Sequence, residues 1–373
     1  MKTVCALDKC TGCTACVNIC PRNAISIIDT MISLNAVIED DKCIECNACE
    51  KGCHINHPVE KYEPIKWYQG WSSDSNIRLS SSSGGVAASI ERTFINEGGY
   101  VCSCIFSEGE FVYYITNKLE DVGKFKGSKY VKSNPVGVYK EIKELLCQGN
   151  KVLFVGLPCH AAAVRKFVGE QYSEKLFVVD LICHGSPSQK LLGLFLEQHE
   201  KSLASVKNIQ FRKGNSYYIT CDEIPIANKG CLDNYSISFL RSLIFTENCY
   251  ECQYASKERI SDISLGDSWG SSMSVDEKER GISLIIVQSE KGWQLLKDSN
   301  LELFEVNEEN AINSNHQLRQ PSVKSDKREY FFAELNKGKS FDHLIKKYFP
   351  LSVFKQAVKG LLVKVSFFLI KCK

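Results

Sequence analysis

From Tyr68 onward, apolar runs of strand length alternate with stretches of helical length. Val152-Leu153-Phe154-Val155-Gly156 reads as a buried strand, and Ala161 to Phe167 as the helix after it. Phe177 to Ile182 repeats that logic, followed by a helix from about Ser188 to Glu200. Ile260 to Leu265 and Ser283 to Val287 are further strand-like runs. Upstream, Ser80 to Gly85 leads into a helix from Val86 to about Asn96. Strands alternating with helices predict an α/β domain with a largely parallel sheet.

Before Tyr68 the organisation differs. Cys10, Cys13, Cys16 and Cys20 recur as Cys43, Cys46, Cys49 and Cys53, each offset by 33 residues. Ala24-Ile25-Ser26-Ile27-Ile28 after the first set reads as a short strand. This predicts a small module of two related halves over residues 1–60, with Pro58 and Pro64 marking its end. The expected architecture is therefore α+β and α/β: a small bacterial-type ferredoxin domain, then a larger α/β domain over 68–306. A C-terminal helical extension would occupy 307–373.

Spacing makes the first module chemical. Cys10-x2-Cys13-x2-Cys16-x3-Cys20-Pro21 is the bacterial two-cluster ferredoxin run, in which the fourth cysteine serves the other cluster. Cys10, Cys13, Cys16 and Cys53 would hold one [4Fe–4S] cluster, and Cys43, Cys46, Cys49 and Cys20 the second. Small residues between them (Gly12, Ala15, Ala48) let backbone N–H groups approach the sulfurs. Structural zinc also accepts four thiolates, but it favours paired knuckles over triplets. His54 stands where Pro21 stands in the first half, a change of local backbone geometry rather than ligation. Cys5 lies outside the repeat and reads as an ordinary buried thiol.

Composition narrows the setting. The 373 residues include 19 cysteines, and 46 Lys+Arg against 44 Asp+Glu leave a net charge of +2. Such balance argues against nucleic acid as partner. The first residues contain no apolar signal-peptide core. The longest apolar run, Leu361 to Ile370, is interrupted by Lys364 and is shorter than the roughly 20 residues of a membrane span. A cytoplasmic location is expected, where so many cysteines point to metal rather than disulfides. Leu351 to Lys373 mixes bulky apolar residues with five lysines. The simpler reading is a terminal helix packed on its own domain; the other is a basic amphipathic helix in peripheral contact with a membrane.

A second set of cysteines lies in the larger domain. Cys159 and Cys183 each follow a predicted strand closely, at the edge where open parallel sheets bind ligands. With the Cys249-x2-Cys252 knuckle they would suit another [4Fe–4S] cluster or a zinc; the alternative is two buried thiols and an unrelated knuckle.

The ordered series Ser82-Ser83-Gly84-Gly85, Gly127-Ser128-Lys129-Tyr130, Gly156-Leu157-Pro158-Cys159, Cys183-His184-Gly185-Ser186-Pro187, Cys249-x2-Cys252 and Asp262 to Gly270 resembles the coenzyme F420 hydrogenase/dehydrogenase beta-subunit family. The form resembled carries an N-terminal two-cluster ferredoxin. The resemblance runs from about Tyr68 to Val306, weakening towards Gly338. It implies an iron–sulfur flavoprotein that binds FAD beside a third [4Fe–4S] cluster held by Cys159, Cys183, Cys249 and Cys252. Such proteins exchange electrons with coenzyme F420 or another organic acceptor. His160, where relatives often have Gln, and Gln253, where Pro is common, depart from the pattern.

A flavin would convert the single electrons of clusters into the pairs that organic reductions need. Ser82-Ser83-Gly84-Gly85 before a helix offers N–H groups to a phosphate, although Ser/Gly composition alone equally describes a linker. Lys129 would add positive charge on the pyrophosphate, and Tyr130 would stack on a ring. Asp267 and Trp269 end a predicted strand at the same edge; Asp267 either orients a polar group or caps a turn. His184 is a candidate proton donor, against the commoner role of a satisfied structural histidine. The expected activity is an oxidoreductase joining these clusters, FAD and a two-electron partner. That partner is a redox protein or small-molecule acceptor; ferredoxin-fused members of the family the chain resembles are similar to proteins of polysaccharide biosynthesis. The alternative is a non-catalytic electron-transfer subunit of a larger hydrogenase or dehydrogenase.

Overall fold

The computed structural model describes residues 2–135 and 137–371, with side chains from 363 onward outside the description. The first module is a three-stranded antiparallel sheet of order β1-β3-β2, with β1 Lys2–Thr3, β2 Ile25–Asp29 and β3 Leu34–Ile38. Two short helices, Ala15–Ile19 and Ala48–Lys51, each carry the third cysteine of a triplet in their first turn. The repeat is literal in the backbone. Gly12 and Glu45 share a positive φ (68° and 53°), as do Thr14 and Asn47 (57° and 56°). A positive φ is rare for a β-branched residue such as Thr14, and it persists only where surrounding structure demands it.

The larger body is built on an eight-stranded sheet of order β14-β4-β13-β12-β8-β7-β5-β6. Its strands are β4 Lys66–Ser72, β5 Tyr100–Ser107, β6 Glu110–Thr116, β7 Val152–Gly156, β8 Leu176–Leu181, β12 Ile263–Asp267, β13 Ser283–Val287 and β14 Leu301–Glu305. Only β12, β8, β7 and β5 run parallel. The flanks β13, β4 and β14, and β6 on the other side, pair antiparallel. The sheet is thus mixed, where the sequence pattern predicted a largely parallel one. β5 and β6 form a tight hairpin through Glu108-Gly109, both at positive φ, a connection that only antiparallel strands can make.

The central strands are buried on both faces, which is why they read as unbroken apolar runs. Leu153 and Val155 of β7 face the helix Val86–Asn96 through Ile90 and Phe94. Val152 and Phe154 face the opposite layer, where Ala161–Val164 and Ile142 pack. A second sheet, β9 Ile209–Lys213, β10 Ser216–Cys221 and β11 Ile224–Pro225, is antiparallel with order β11-β10-β9. It shares an aromatic core with helices Gln189–Glu197, Asn234–Leu240, Arg328–Leu335 and Phe341–Tyr348, through Phe195, Phe211, Tyr235, Phe331 and Phe341. No helix among the described residues is long and apolar enough to cross a membrane.

The cysteine module is docked against this body along one side. Glu247 N and Arg328 Nη2 both donate to Ile32 O, at 2.9 and 3.2 Å. Ser188 Oγ donates to Asp29 Oδ2 at 2.5 Å, and Gly137 N to Asn18 Oδ1 at 3.1 Å. Cys13 and Ala15 belong to the same apolar cluster as Phe154 and Ala161.

Candidate functional site

The structure sorts the repeat's eight cysteines into two cavities, and each cavity takes one cysteine from the remote half. Cys10, Cys13, Cys16 and Cys53 line one; Cys20, Cys43, Cys46 and Cys49 line the other. The first four are buried, whereas Cys46 is exposed and its three neighbours are half-buried. The module therefore has an inner and an outer cavity relative to the body it docks on. Each triplet turns the same backbone amide onto its first sulfur. Gly12 N donates to Cys10 Sγ and Glu45 N to Cys43 Sγ, both at 3.4 Å, and the shared positive φ aims these N–H groups. Ala24 N adds a bond to Cys20 Sγ at 3.3 Å.

Cys5, read from the sequence as an ordinary buried thiol, lines the inner cavity. The neighbouring Cys10 and Cys53 sulfurs keep Cys5 protonated and are themselves lowered. Burial pushes Cys13 up to about 12.

A third cavity, of about 140 Å³, is lined by Cys159, Cys183, Cys249 and Cys252. Cys159 stands in the first turn of helix Pro158–Val168 after β7, and Cys183 just beyond β8. The knuckle begins in the turn Glu247–Glu251 and ends at Cys252 just after it. Because β7, β8 and β12 are parallel, their carboxyl ends meet at one sheet edge, and two of the four thiols are delivered there. Lys9, Thr11 and Ile55 of the cysteine module form part of the wall.

Lys132 is buried against this cavity, with Nζ 3.4 Å from Asn248 Oδ1 and 4.0 Å from Cys249 Sγ. Burial alone would strip its charge, but the sulfurs of Cys249, Cys159 and Cys183 hold its pKa above the ordinary lysine value. Burial pushes Cys183 up to about 12. His160 is wholly buried, Nδ1 3.1 Å from Tyr113 Oη, and burial holds it well below the usual histidine range.

Among the described residues no three His, Cys, Asp or Glu side chains converge closely enough to hold one metal ion. The thiols instead surround space, and the donor sets are all sulfur. That chemistry fits iron–sulfur clusters, with amide N–H groups on the sulfurs and a buried cation beside the third set.

Beyond the third cavity lies the edge at which the sequence placed a flavin. Gly84 is pressed between Gly70 O and Ser283, where a Cβ would come within 2.4 Å of the carbonyl. Gly84 N donates to Ser283 Oγ at 3.0 Å, and Ser83 Oγ donates to Ile282 O at 2.9 Å. Ser82 Oγ accepts from Ser128 N at 2.9 Å, so the two loops touch. Gly85 caps the helix at positive φ. Lys129 turns inward and donates to Phe125 O and Lys126 O, at 2.6 and 3.2 Å.

Tyr130 stacks with Tyr217 at 5.8 Å, and the Arg212 guanidinium lies over Tyr217 at 5.0 Å. Arg212 Nη1 pairs with Asp267 Oδ2 at 2.6 Å. Burial opposes that guanidinium's charge, but Asp267 and the two tyrosines keep its pKa above the usual arginine value. Trp269 is exposed, its backbone N–H donating to Asp267 O. His184 lines the third cavity and packs edge-on against His316 at 5.7 Å. Burial lowers His184 to about 4. Arg212, Tyr217, Lys132 and Tyr254 were not singled out from the sequence, since no motif marks them.

Residues 149–311 match the family described as the C terminus of the coenzyme F420 hydrogenase/dehydrogenase beta subunit. Residues 9–57 match the 4Fe-4S dicluster domain. The two matches follow one another in the order the motif series implied, a 4Fe-4S dicluster domain and then the C terminus of the beta subunit. A protein of the F420-reducing [NiFe] hydrogenase complex from Methanosarcina barkeri, solved as a xenon derivative, is 20% identical with a TM-score of 0.49. That likeness covers 74% of this chain and 94% of the other. No curated protein matches.

Proposed function

We propose that this chain is an iron–sulfur flavoprotein oxidoreductase. The observation that supports it most is the set of three cavities, each lined by at least four cysteines, ending at the sheet edge beside Asp267 and Arg212. In this reading Cys10, Cys13, Cys16 and Cys53 hold an inner [4Fe–4S] cluster. Cys20, Cys43, Cys46 and Cys49 hold an outer one, and Cys159, Cys183, Cys249 and Cys252 a third. A bound FAD supplies the exchange between single electrons and a hydride. Its phosphates would lie at Ser82, Ser83, Gly84 and Gly85, and its ring near Tyr130, Asp267 and Trp269. Arg212 holds the Asp267 carboxylate in place, and the Tyr130–Tyr217 pair gives a flat aromatic wall. Lys129 would reach a phosphate only by leaving the Phe125 and Lys126 carbonyls. The acceptor or donor is coenzyme F420 or another organic molecule that takes an electron pair.

A second reading is a non-catalytic electron-transfer subunit, favoured by the words "beta subunit" in the matched family's description. Quantifying iron and flavin in anaerobically purified protein tests both. About one FAD per chain, and loss of about four iron atoms in Cys159→Ser or Cys252→Ser, is the expected outcome. Intact iron without flavin, even after FAD reconstitution, would move the chain to the second reading. Unchanged iron in both variants would refute the third cluster.

A further inference from the structure

The cysteine repeat breaks its own pattern at one position. Pro21 follows Cys20 and is exposed, while its counterpart His54 follows Cys53 and is wholly buried. The buried end is the one that docks. His54 Nδ1 lies 2.5 Å from Tyr254 Oη, and His54 Nε2 lies 3.1 Å from Thr11 Oγ1. Gln253 Nε2 donates to Tyr254 Oη at 2.8 Å and to His54 O at 3.3 Å. One assignment of hydrogens satisfies the chain: Gln253 donates to Tyr254, Tyr254 to His54 Nδ1, and His54 Nε2–H to Thr11.

Both ends of this chain touch thiol-lined cavities. His54 lines the inner cavity beside Cys53, and Tyr254 lines the third cavity two residues beyond Cys252. Tyr254 is itself fixed. Arg259 Nη1 donates to Tyr254 O at 2.6 Å, and Arg259 forms a wholly buried ion pair with Asp180 at 3.0 Å. The Lys9–Glu251 ion pair clamps the same seam from outside. A buried polar contact between two bodies costs desolvation unless every member is satisfied, so it fixes one relative placement rather than many.

We propose that His54 and Tyr254 are positioning residues that set the inner cysteine cavity in register with the third, and that electrons pass between the two across this joint. The proposal rests on the cluster assignments above. In each passage one electron leaves the inner side and arrives at the third. No bond forms or breaks, and neither His54 nor Tyr254 changes oxidation state.

The test uses the full chain with its clusters assembled, and dithionite-reduced ferredoxin as donor, a protein too large to enter a cavity of about 140 Å³. Freeze-quench electron paramagnetic resonance follows each reduced centre. Tyr254→Phe removes one hydroxyl and nothing else. It is expected to slow arrival at the third centre about tenfold or more, the scale of losing a group one layer out from metal ligands. Reduction of the first module and iron content should stay unchanged, while the melting temperature falls modestly because buried His54 Nδ1 loses its donor; loss of iron or slower reduction of the first module would show that the hydroxyl merely holds the fold. His54→Gln, which keeps a polar group, should restore part of the rate lost in His54→Phe. Third-centre reduction as fast as wild type in Tyr254→Phe and His54→Phe would overturn the joint while leaving the clusters standing. Iron unchanged by Cys252→Ser would instead overturn the reading beneath it.

Discussion

Glu91 shows how far one side chain can depart from its expected state. It lies on the helix Val86–Asn96 behind the serine loop and is buried. Burial raises its carboxyl to about 8, against the pull of Lys129 and of Ser103. Lys129 is lowered by the same burial, so the two face each other in a poorly solvated pocket. The folded chain keeps a proton on Glu91 that the unfolded chain releases near the ordinary value of 4.5. Between there and about pH 8 the folded state binds more protons, so stability falls as pH rises through that window. Glu91→Gln cannot ionise and should flatten this slope, leaving the variant more stable than wild type at pH 8. Denaturant midpoints at either end of the window decide; parallel slopes in the two proteins would show that Glu91 is ionised in the fold.

At the scale of elements, Ser188 joins two tasks. Its hydroxyl oxygen caps helix Gln189–Glu197 by accepting from Lys190 N at 3.0 Å, and its O–H holds Asp29 at the end of β2. Loss of such a cap costs about 1 kcal/mol. The half-buried Asp29 carboxylate, left short of a donor, adds about 1 kcal/mol. Ser188→Ala should therefore lower stability by about 2 kcal/mol and speed hydrogen exchange in Ile25–Asp29 as well as at Lys190. Faster exchange confined to Lys190 would remove the docking role.

The cap's helix was legible in advance, as were β7, β8 and β13, because strands buried on both faces are mostly apolar. β4 and β14 were not: each carries charged residues, and their antiparallel pairing is decided by partners far along the chain. The aromatic core was hidden for the same reason, since Phe195, Phe211 and Phe331 meet only in the fold. The cysteine sets divide along this line. Ligand spacing is local and shows in the sequence, whereas Lys132 and Tyr254 acquire their surroundings only when two remote segments pack.

Several apolar side chains on one face of the last helix, Pro350–Lys371, stand open to solvent. One side of that helix is occupied. Ser352 Oγ accepts from Arg241, Gln356 Oε1 accepts from Leu232 N, and Gly360 approaches Asn228 so closely that a Cβ would come within 2.6 Å. Those three positions are four apart and share a stripe. Leu351, Phe354, Val358 and Leu361 lie on the opposite stripe and are exposed, with 75% and 66% of the first two open to solvent. Up to residue 362 this helix packs on its own domain and turns an apolar face outward; the rest of the segment expected to be a basic amphipathic helix lies outside the described side chains.

Exposed apolar groups beside basic ones favour the boundary of an anionic membrane, where burial of the stripe and attraction to headgroups act together. Lys355 is exposed beside that stripe, and Lys364, Lys371 and Lys373 follow in the sequence. The full chain is expected to float with vesicles containing phosphatidylserine and not with neutral ones, and to be released by high salt. A chain ending at 349 should stay at the bottom of the gradient with its iron intact. Equal flotation of the two forms would assign the stripe to something other than lipid.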